Sequence, residues 1–497
     1  MIPNPPAPRP GTPAGQPSAG ATELPPEPAT MPIGPSTGSD YTTATEEVPV
    51  LPYATTPQGR WTVGTLTYTS AGLVALFLVL LGGDFALSMR ERSIPSITTL
   101  MLKRFHASDR TLALLLVSLP PAMSLLFVPV ISFKSDRLRS RFGRRVPYLL
   151  ATTPIAAGAM AALAFSEEVG HRLAAWHVGP WSANAWSLAY FGVCWTAFEC
   201  AGLTSLALVQ ALVNDVVPRA VLGRFYGLFR AVSLIAGMLF NYSIFGYADL
   251  HYRAILIGIA VLFGVGFTLM CLKVREGQYP PPEPVDPHAL DSGRRLTAVQ
   301  AYLSESFREP YFRWVFASIT LGAVTFLPVN TYSLYYADQV HMSHVTYGKL
   351  SALTYAISLA LAWPMGWLVD RLSALFVATG CVIVYGTGMV IAGLVVHGAH
   401  SFGVALVVHG VLSGCFFTSS ASLAQALLPR LKFGQYASAA GIVQSLTTMV
   451  VGPAMGQVLD LSGHNYRLTF YGGSCLAAAG AVCLTVVIGH RRPAELE

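Results

Sequence analysis

The sequence predicts an all-α polytopic membrane protein, with twelve transmembrane helices in two pseudo-symmetric six-helix bundles. Three observations lead there. The 497-residue chain is 53% hydrophobic and only 11% charged, with a mean hydropathy of +0.52. A soluble globular chain is about a quarter charged, so a bilayer is the simpler solvent for this one. Apolar runs long enough to cross a bilayer, about twenty residues each, occur twelve times. Short patterns in the first six runs return at corresponding places in the last six.

Along the chain, residues 1–60 come first. Fifteen of the 34 prolines fall in 1–58, among Gly, Thr, Ala and Glu, with no apolar cluster. Burial cannot offset the ordering entropy of such a segment, which predicts a disordered, partly polyproline-like tail. No basic stretch followed by an apolar core opens the chain, so no signal peptide is expected.

The apolar runs lie near 66–90, 111–132, 146–166, 185–212, 222–247, 253–273, 313–336, 345–369, 374–396, 402–428, 436–459 and 467–489. The expected organisation is an N-terminal bundle over 61–273, a linker over 274–312, a C-terminal bundle over 313–490 and a tail over 491–497. The linker opens as "QYPPPEPVDPHALDSGRR", a flexible Pro-rich spacer. It continues as "LTAVQAYLSESFREPYF", which fits a short amphipathic surface helix.

The densest charge is "FKSDRLRSRFGRR" between spans 2 and 3. Six of the twelve residues from Lys134 to Arg145 are cationic. Alone it would suggest nucleic-acid binding; between two apolar runs it reads as a loop at a membrane surface, and no nucleic-acid partner is expected. Loops after even-numbered spans, with both tails, carry 21 of the 31 Lys and Arg residues. Positive loops stay inside, so those loops and both termini are expected to be cytoplasmic, in a bacterial inner membrane.

The halves echo each other. "SFKSDR" (132–137) follows span 2 and "GWLVDR" (366–371) follows span 8. "PRAVLGRFY" (218–226) precedes span 5 and "PRLKFGQY" (429–436) precedes span 11, with Pro, Arg and Gly at identical offsets. "IPSITTLMLKRFHAS" (94–108) matches "LPVNTYSLYYADQVHMS" (327–343) loosely. Paired bundles are the architecture of secondary transporters, with a site near the midplane between them.

A charge at mid-bilayer costs about 2.5–3.5 kcal/mol even on lenient scales, so intramembrane charges are candidate functional groups. Span 1 holds Asp84, Arg90, Glu91 and Arg92 in one apolar stretch over 66–102. A long helix kinked near Pro95 accommodates it. Asp84, Ser88 and Glu91 then share a face, with Arg92 near it and Arg90 pointing elsewhere. The alternative ends the span near 89 and leaves 90–92 as a solvated rim. Glu199, in "WTAFECAGLTSL", lies near the middle of span 4. Low dielectric disfavours an isolated carboxylate, which suits a group that takes up and releases a proton; the alternative is a static pair with Arg92 or Arg230. Asp215 and Arg230 are read as inner-end residues, Asp215 as a partner of the loop arginines.

Here the sequence resembles a family. Ser132-x-x-x-Asp136-Arg137, then Arg141-Phe142-Gly143-Arg144-Arg145, is similar to the loop 2–3 motif of the major facilitator superfamily. "SDRLRSRFGRRVPY", "ALVNDVVP", "GRFYGLFRAVS" and "GDFA" (83–86) resemble its sucrose-transporter-like branch and the related glycoside–cation symporters. Ser132 stands where Gly is usual. Span 2 has no acidic residue, whereas sodium–sugar symporters carry a carboxylate near there, which favours protons over sodium. The resemblance implies an inner latch that holds the cytoplasmic end shut while the outer end is open. Its members here would be Asp136, Arg137, Arg144, Arg145, Asp215 and Arg230, with Asp370 and Arg371 as their echo. It implies a sugar-class solute, for which Gln210, Asn241, Asn330 and Gln425 are polar candidates and Trp195, Tyr332, Tyr335, Tyr336 and Trp363 aromatic ones.

No P-loop, HExxH or paired CxxC is present, and no GxSxG outside the Pro-rich N-terminal segment; no ATP drive, metal, cofactor or enzymatic activity is expected. The seven cysteines fall mostly in apolar runs and read as small apolar residues. The expectation is a monomeric, proton-coupled symporter of a sugar or glycoside, with Asp84, Glu91, Arg92 and Glu199 at the coupling or solute site. The rivals are an exporter or importer of another small organic solute, and a membrane sensor that binds solute but moves none.

Overall fold

The structure, a computed structural model, describes residues 60–279, 305–429 and 432–490. The expected tails over 1–59 and 491–497, and the linker over 280–304, lie outside the described residues. Twelve helices long and apolar enough to cross a membrane follow one another. Spans 1 to 6 are Ser70–Arg104, Asp109–Arg137, Val146–Leu163, Ala183–Val216, Arg219–Ser243 and Phe245–Lys273. Spans 7 to 12 are Pro310–Gln339, His344–Leu372, Ala374–Val395, Ala399–Leu427, Phe433–Leu461 and Leu468–Gly489. A small antiparallel hairpin precedes them, β1 (Trp61–Val63) and β2 (Leu66–Tyr68), turning at Gly64 with φ +54°. Its Thr65 accepts the Gln278 backbone N–H at 2.8 Å, which ties the hairpin to the end of span 6.

Span 1 is one unbroken 35-residue helix, so Arg90–Arg92 are helical residues and not a rim. Thr69 caps its start, accepting the Gly72 N–H at 3.1 Å, and Lys103 and Arg104 in the last turn complement the negative end of its dipole. The helix continues through Pro95, and the hydroxyls of Thr98 and Thr99 bond to the carbonyls of Ile94 and Pro95. Gly83 lets span 6 come close: a Cβ there would sit 2.2 Å from the Met270 sulfur.

Span 2 is less regular. Asp109–Ala113 is α-helical, Leu114–Ser118 forms a π turn, and Leu119–Arg137 resumes the α-helix. Pro120 and Pro121 lack the N–H groups that would continue the ladder. The Leu115 carbonyl instead accepts the Trp195 indole N–H at 2.8 Å. Trp195 is buried between Phe191 and Phe198. It therefore packs spans 2 and 4 together and is not a sugar platform.

The repeat is visible at the ends of spans 1 and 7. His106 and His341 both adopt the left-handed conformation, at φ 54° and 56°. Two residues on, Ser108 and Ser343 cap spans 2 and 8 through the N–H groups of Thr111 and Thr346. The two corresponding segments also meet: Lys103 of one pairs with Asp338 of the other.

Between described residues, hydrogen bonds that cross the halves gather at the end carrying loops 1–2 and 11–12. The Asp460 carboxylate accepts the backbone N–H groups of Asp109 and Arg110 at 2.9 and 3.1 Å. The buried Asp109 carboxylate accepts from His464 Nδ1 at 2.7 Å and Tyr466 Oη at 3.1 Å. Tyr332 donates to the Asp109 carbonyl at 2.9 Å, and Ser118 to the Met449 carbonyl at 2.9 Å. Gly456 has no room for a Cβ, which would lie 2.6 Å from the Asp109 carbonyl oxygen. Among the described residues, these contacts close this end.

Candidate functional site

A cavity of about 280 Å³ lies between the halves, lined from spans 1 and 5 on one side and spans 7, 8 and 10 on the other. Asn241, Ser333, Ser351, Thr354, Ser358 and Ser413 bring hydroxyl and amide groups to it. A second cavity of about 380 Å³ adjoins it through Ser96, Asn330, Ser333 and Tyr347. Asn330 Oδ1 lies 2.9 Å from His409 Nε2, and His409 Nδ1 lies 3.0 Å from the Tyr385 hydroxyl. The amide oxygen can only accept, so Nε2 carries the proton and Nδ1 accepts from Tyr385. The chain fixes the Asn330 amide and leaves its NH2 group for a solute.

Two arginines line this cavity, Arg92 and Arg230. Arg92 donates through Nε and Nη2 to the Ser233 hydroxyl at 3.3 and 3.0 Å, and stands 5.4 Å from the Tyr355 ring centroid. Arg230 has no hydrogen bond or ion pair with a described residue. The expectation that Arg230 is an inner-end gating residue is corrected: it lies midway along span 5, one cation among the cavity's hydroxyls.

The buried charges form a separate group. Arg90, Glu91 and Glu199 line a small cavity of about 190 Å³ between spans 1 and 4. Arg90 is 5% exposed and lies 3.5 Å from the Glu91 carboxylate. Its guanidinium sits over the rings of Phe198 and Phe263, at 5.4 and 4.9 Å. Gly202 makes that position possible, since a Cβ there would lie 2.8 Å from Nη1. Nε and Nη1 have no hydrogen-bond partner. The cation nearest Glu199 is thus Arg90, not the expected Arg92 or Arg230. Asp84 is 2% exposed and lines neither this cavity nor the central ones; one oxygen accepts weakly from Ser88 at 3.4 Å and the other is unpartnered.

The loop between spans 2 and 3 is a knot within the N-terminal half. Arg145 donates to Asp136 and Asp215, both at 2.8 Å, and joins the C-terminal ends of spans 2 and 4. Arg144 grips Asp215 with two nitrogens, at 2.8 and 3.3 Å, and stacks 4.1 Å from the Tyr279 ring centroid. Burial pushes the Tyr279 hydroxyl up to about 12, so it stays neutral beside Asp215 and Glu276. Gly143, at φ +101°, brings the backbone onto Glu276, whose carboxylate accepts the N–H groups of Arg144, Arg145 and Val146 at 2.9, 2.9 and 2.8 Å. A carboxylate from the end of span 6 thereby caps span 3. Glu276→Ala should cost about 1–3 kcal/mol, the range for leaving such groups unsatisfied. Thermal unfolding in detergent will read it as a lower Tm, with Glu276→Gln falling between the two.

Other expected site residues lie elsewhere. Tyr332 belongs to the closed end, and Tyr335 and Tyr336 are buried beside it against Tyr466 and Phe470. Gln210, Gln425 and Trp363 are exposed and line neither central cavity. Arg137 stacks on Phe133 at 4.5 Å and takes no part in the Arg144–Arg145 knot. Asp370 has no ion pair among the described residues, and Arg371 stacks on Trp367 at 4.2 Å. The two Asp-Arg steps are therefore not a matched pair of latches in this state. Arg90, His409, Tyr385 and Glu276 were not anticipated. Spacing from Asp84 turned attention from Arg90, and the other three depend on contacts between distant spans.

Twelve membrane-crossing helices in two halves, with a polar cavity between them, define a secondary-transporter class of membrane protein. The model of the Major Facilitator Superfamily matches residues 61–451, and the chain belongs to that superfamily. Among solved structures, the inward-open xylose transporter XylE from E. coli is similar at 13% identity and a TM-score of 0.62, covering 85% of this chain and 98% of that one. A D-xylose-proton symporter is 13% identical with a TM-score of 0.58, over 83% and 97%. The peptide transporter POT is 15% identical with a TM-score of 0.60, over 86% and 96%. No curated protein sequence matches. The chain is a transporter of the major facilitator fold, integral to a membrane, and not an enzyme.

Proposed function

We propose that this protein is a proton-coupled symporter of a small hydroxylated solute of the sugar class, working by alternating access. The observation that carries the reading is the charge count at Arg90, Glu91 and Glu199. One cation faces two carboxylates in a low-dielectric pocket. With both ionised the group is one charge in excess, and a single proton balances it. A group that must gain a proton to be neutral is suited to a transport cycle that moves one. Span 1 carries this group and, one residue beyond Glu91, Arg92 of the solute cavity. Movement of one helix can therefore link protonation to solute binding.

The sugar class rests on the hydroxyl and amide lining and on the resemblance of "GDFA" and the span 4–5 segment to the glycoside–cation branch. With the loop 2–3 end cytoplasmic, as the cation distribution favours, the closed end is external and the cavity faces inward.

Purified protein in vesicles with an imposed pH gradient and a panel of labelled sugars tests the reading. Uptake of at least one compound, with proton flux on its addition, is expected. Binding without uptake would leave the sensor as the better account; no uptake and no proton flux for any compound would sink the proposal.

A further inference from the structure

We infer that the solute carries an oxyanion, a carboxylate or phosphate on a hydroxylated molecule of monosaccharide size, and that Arg92 and Arg230 bind it. The inference rests on the transport reading only for the solute's passage, not for its binding. Both guanidinium groups line the central cavity, and no acidic side chain lines either it or its neighbour. The groups that line it beside them are neutral, Ser96 on span 1, Asn241 on span 5, Asn330 on span 7, Ser351 and Tyr355 on span 8 and His409 on span 10, while the span 1 carboxylates Asp84 and Glu91 lie outside the lining, Glu91 beside Arg90.

A cation at mid-membrane depth is expensive unless it is paired. Arg90 shows the usual remedy, with carboxylates and aromatic faces around it. Arg92 has only a serine hydroxyl and a tyrosine ring, and Arg230 has no hydrogen bond or ion pair with a described residue. A neutral sugar would bring no charge to either guanidinium, and would leave Arg230 with no carboxylate and Arg92 with only the more distant Asp84 of its own helix. An oxyanion would compensate both charges, and the planar guanidinium presents paired N–H groups that match a carboxylate or phosphate edge. A cavity of about 280 Å³ is at the small end for organic ligands, which favours one ring or its open-chain equivalent. The remaining lining then meets hydroxyls: Asn330 offers its oriented NH2 group, Ser351 and Ser358 bring hydroxyls, and Ser413, whose proton goes to the Gly410 carbonyl, accepts.

The test is binding to the full chain in detergent, by equilibrium dialysis with labelled glucose, glucuronate and glucose 6-phosphate, followed by uptake of the same three into vesicles. Wild type should bind at least one of the two anions about tenfold or more tightly than glucose; which one separates carboxylate from phosphate. Arg230→Gln should bring the anion to within about threefold of glucose, and Arg230→Lys should retain part of the preference. Size-exclusion profiles establish that the variants are folded. Equal or tighter binding of glucose, a preference that survives Arg230→Gln, or no binding of any compound overturns the inference. Accumulation of glucose without anion preference refutes it and leaves the transport reading standing. Selective anion binding without uptake refutes the transport reading and leaves this one standing.

Discussion

Glu199→Gln should abolish proton-driven accumulation and spare solute exchange. The substitution keeps the volume and the hydrogen-bonding edge of the side chain but removes the titrating oxygen. Arg90 then faces one carboxylate, Glu91 at 3.5 Å, and the group is neutral without a proton. Nothing remains that must be protonated before the halves can exchange positions. The solute cavity is untouched, because Glu199 lies between spans 1 and 4 and lines neither central cavity. Vesicles loaded with unlabelled solute should still take up label, whereas an imposed pH gradient should no longer raise the internal concentration above the external one. If accumulation survives, Glu199 is not the coupling group, and Asp84, with its unpartnered buried oxygen, becomes the next candidate.

How far the sequence carried these conclusions depends on the range of the interaction concerned. The twelve spans follow from local apolar length, which needs no knowledge of neighbours, and each run read from the chain corresponds to one helix, although span 1 runs on to Arg104 and span 6 begins at Phe245, well outside their runs. The Arg144–Asp215 contact was legible because a dense cation loop and a lone carboxylate near the end of span 4 have few other partners. The hairpin before span 1 was missed although "WTVGTLTY" alternates about a glycine, because the run was read for apolarity rather than for period. Arg230 was misplaced for a different reason. It was read with Asp215 as an inner-end residue, whereas it lies midway along span 5, where the cavity between the halves surrounds it with hydroxyls. Residues that meet in the wall of that cavity, such as Asn330 and His409, are 79 positions apart and leave no periodic signal.

Asp109→Ala should open the closed end and shift the population toward the state accessible from that side. The Asp109 side chain is 2% exposed and accepts from two groups of the opposite half, His464 and Tyr466. Hydrogen bonds to a charged group are worth about 1.5–3 kcal/mol each. The His464 bond is discounted because that side chain is 57% exposed. A net loss near 3 kcal/mol would move the equilibrium between the two states by roughly a hundredfold. The start of span 2 keeps its own cap, Ser108 accepting the Thr111 N–H, so the fold is preserved even as the backbone bonds of Asp109 and Arg110 to Asp460 part on opening. Spin labels at His106 and Leu461, with the seven native cysteines replaced, report the separation of the two halves at this end. Wild type should give a single short distance and Asp109→Ala a broad, longer one. Gly456→Ala provides the steric counterpart, since its Cβ would press on the same backbone from the other side. If both variants retain the short distance, closure is held by the apolar contacts between spans 5 and 8, where Gly348 meets the Asn241 carbonyl, and not by the Asp109 cluster.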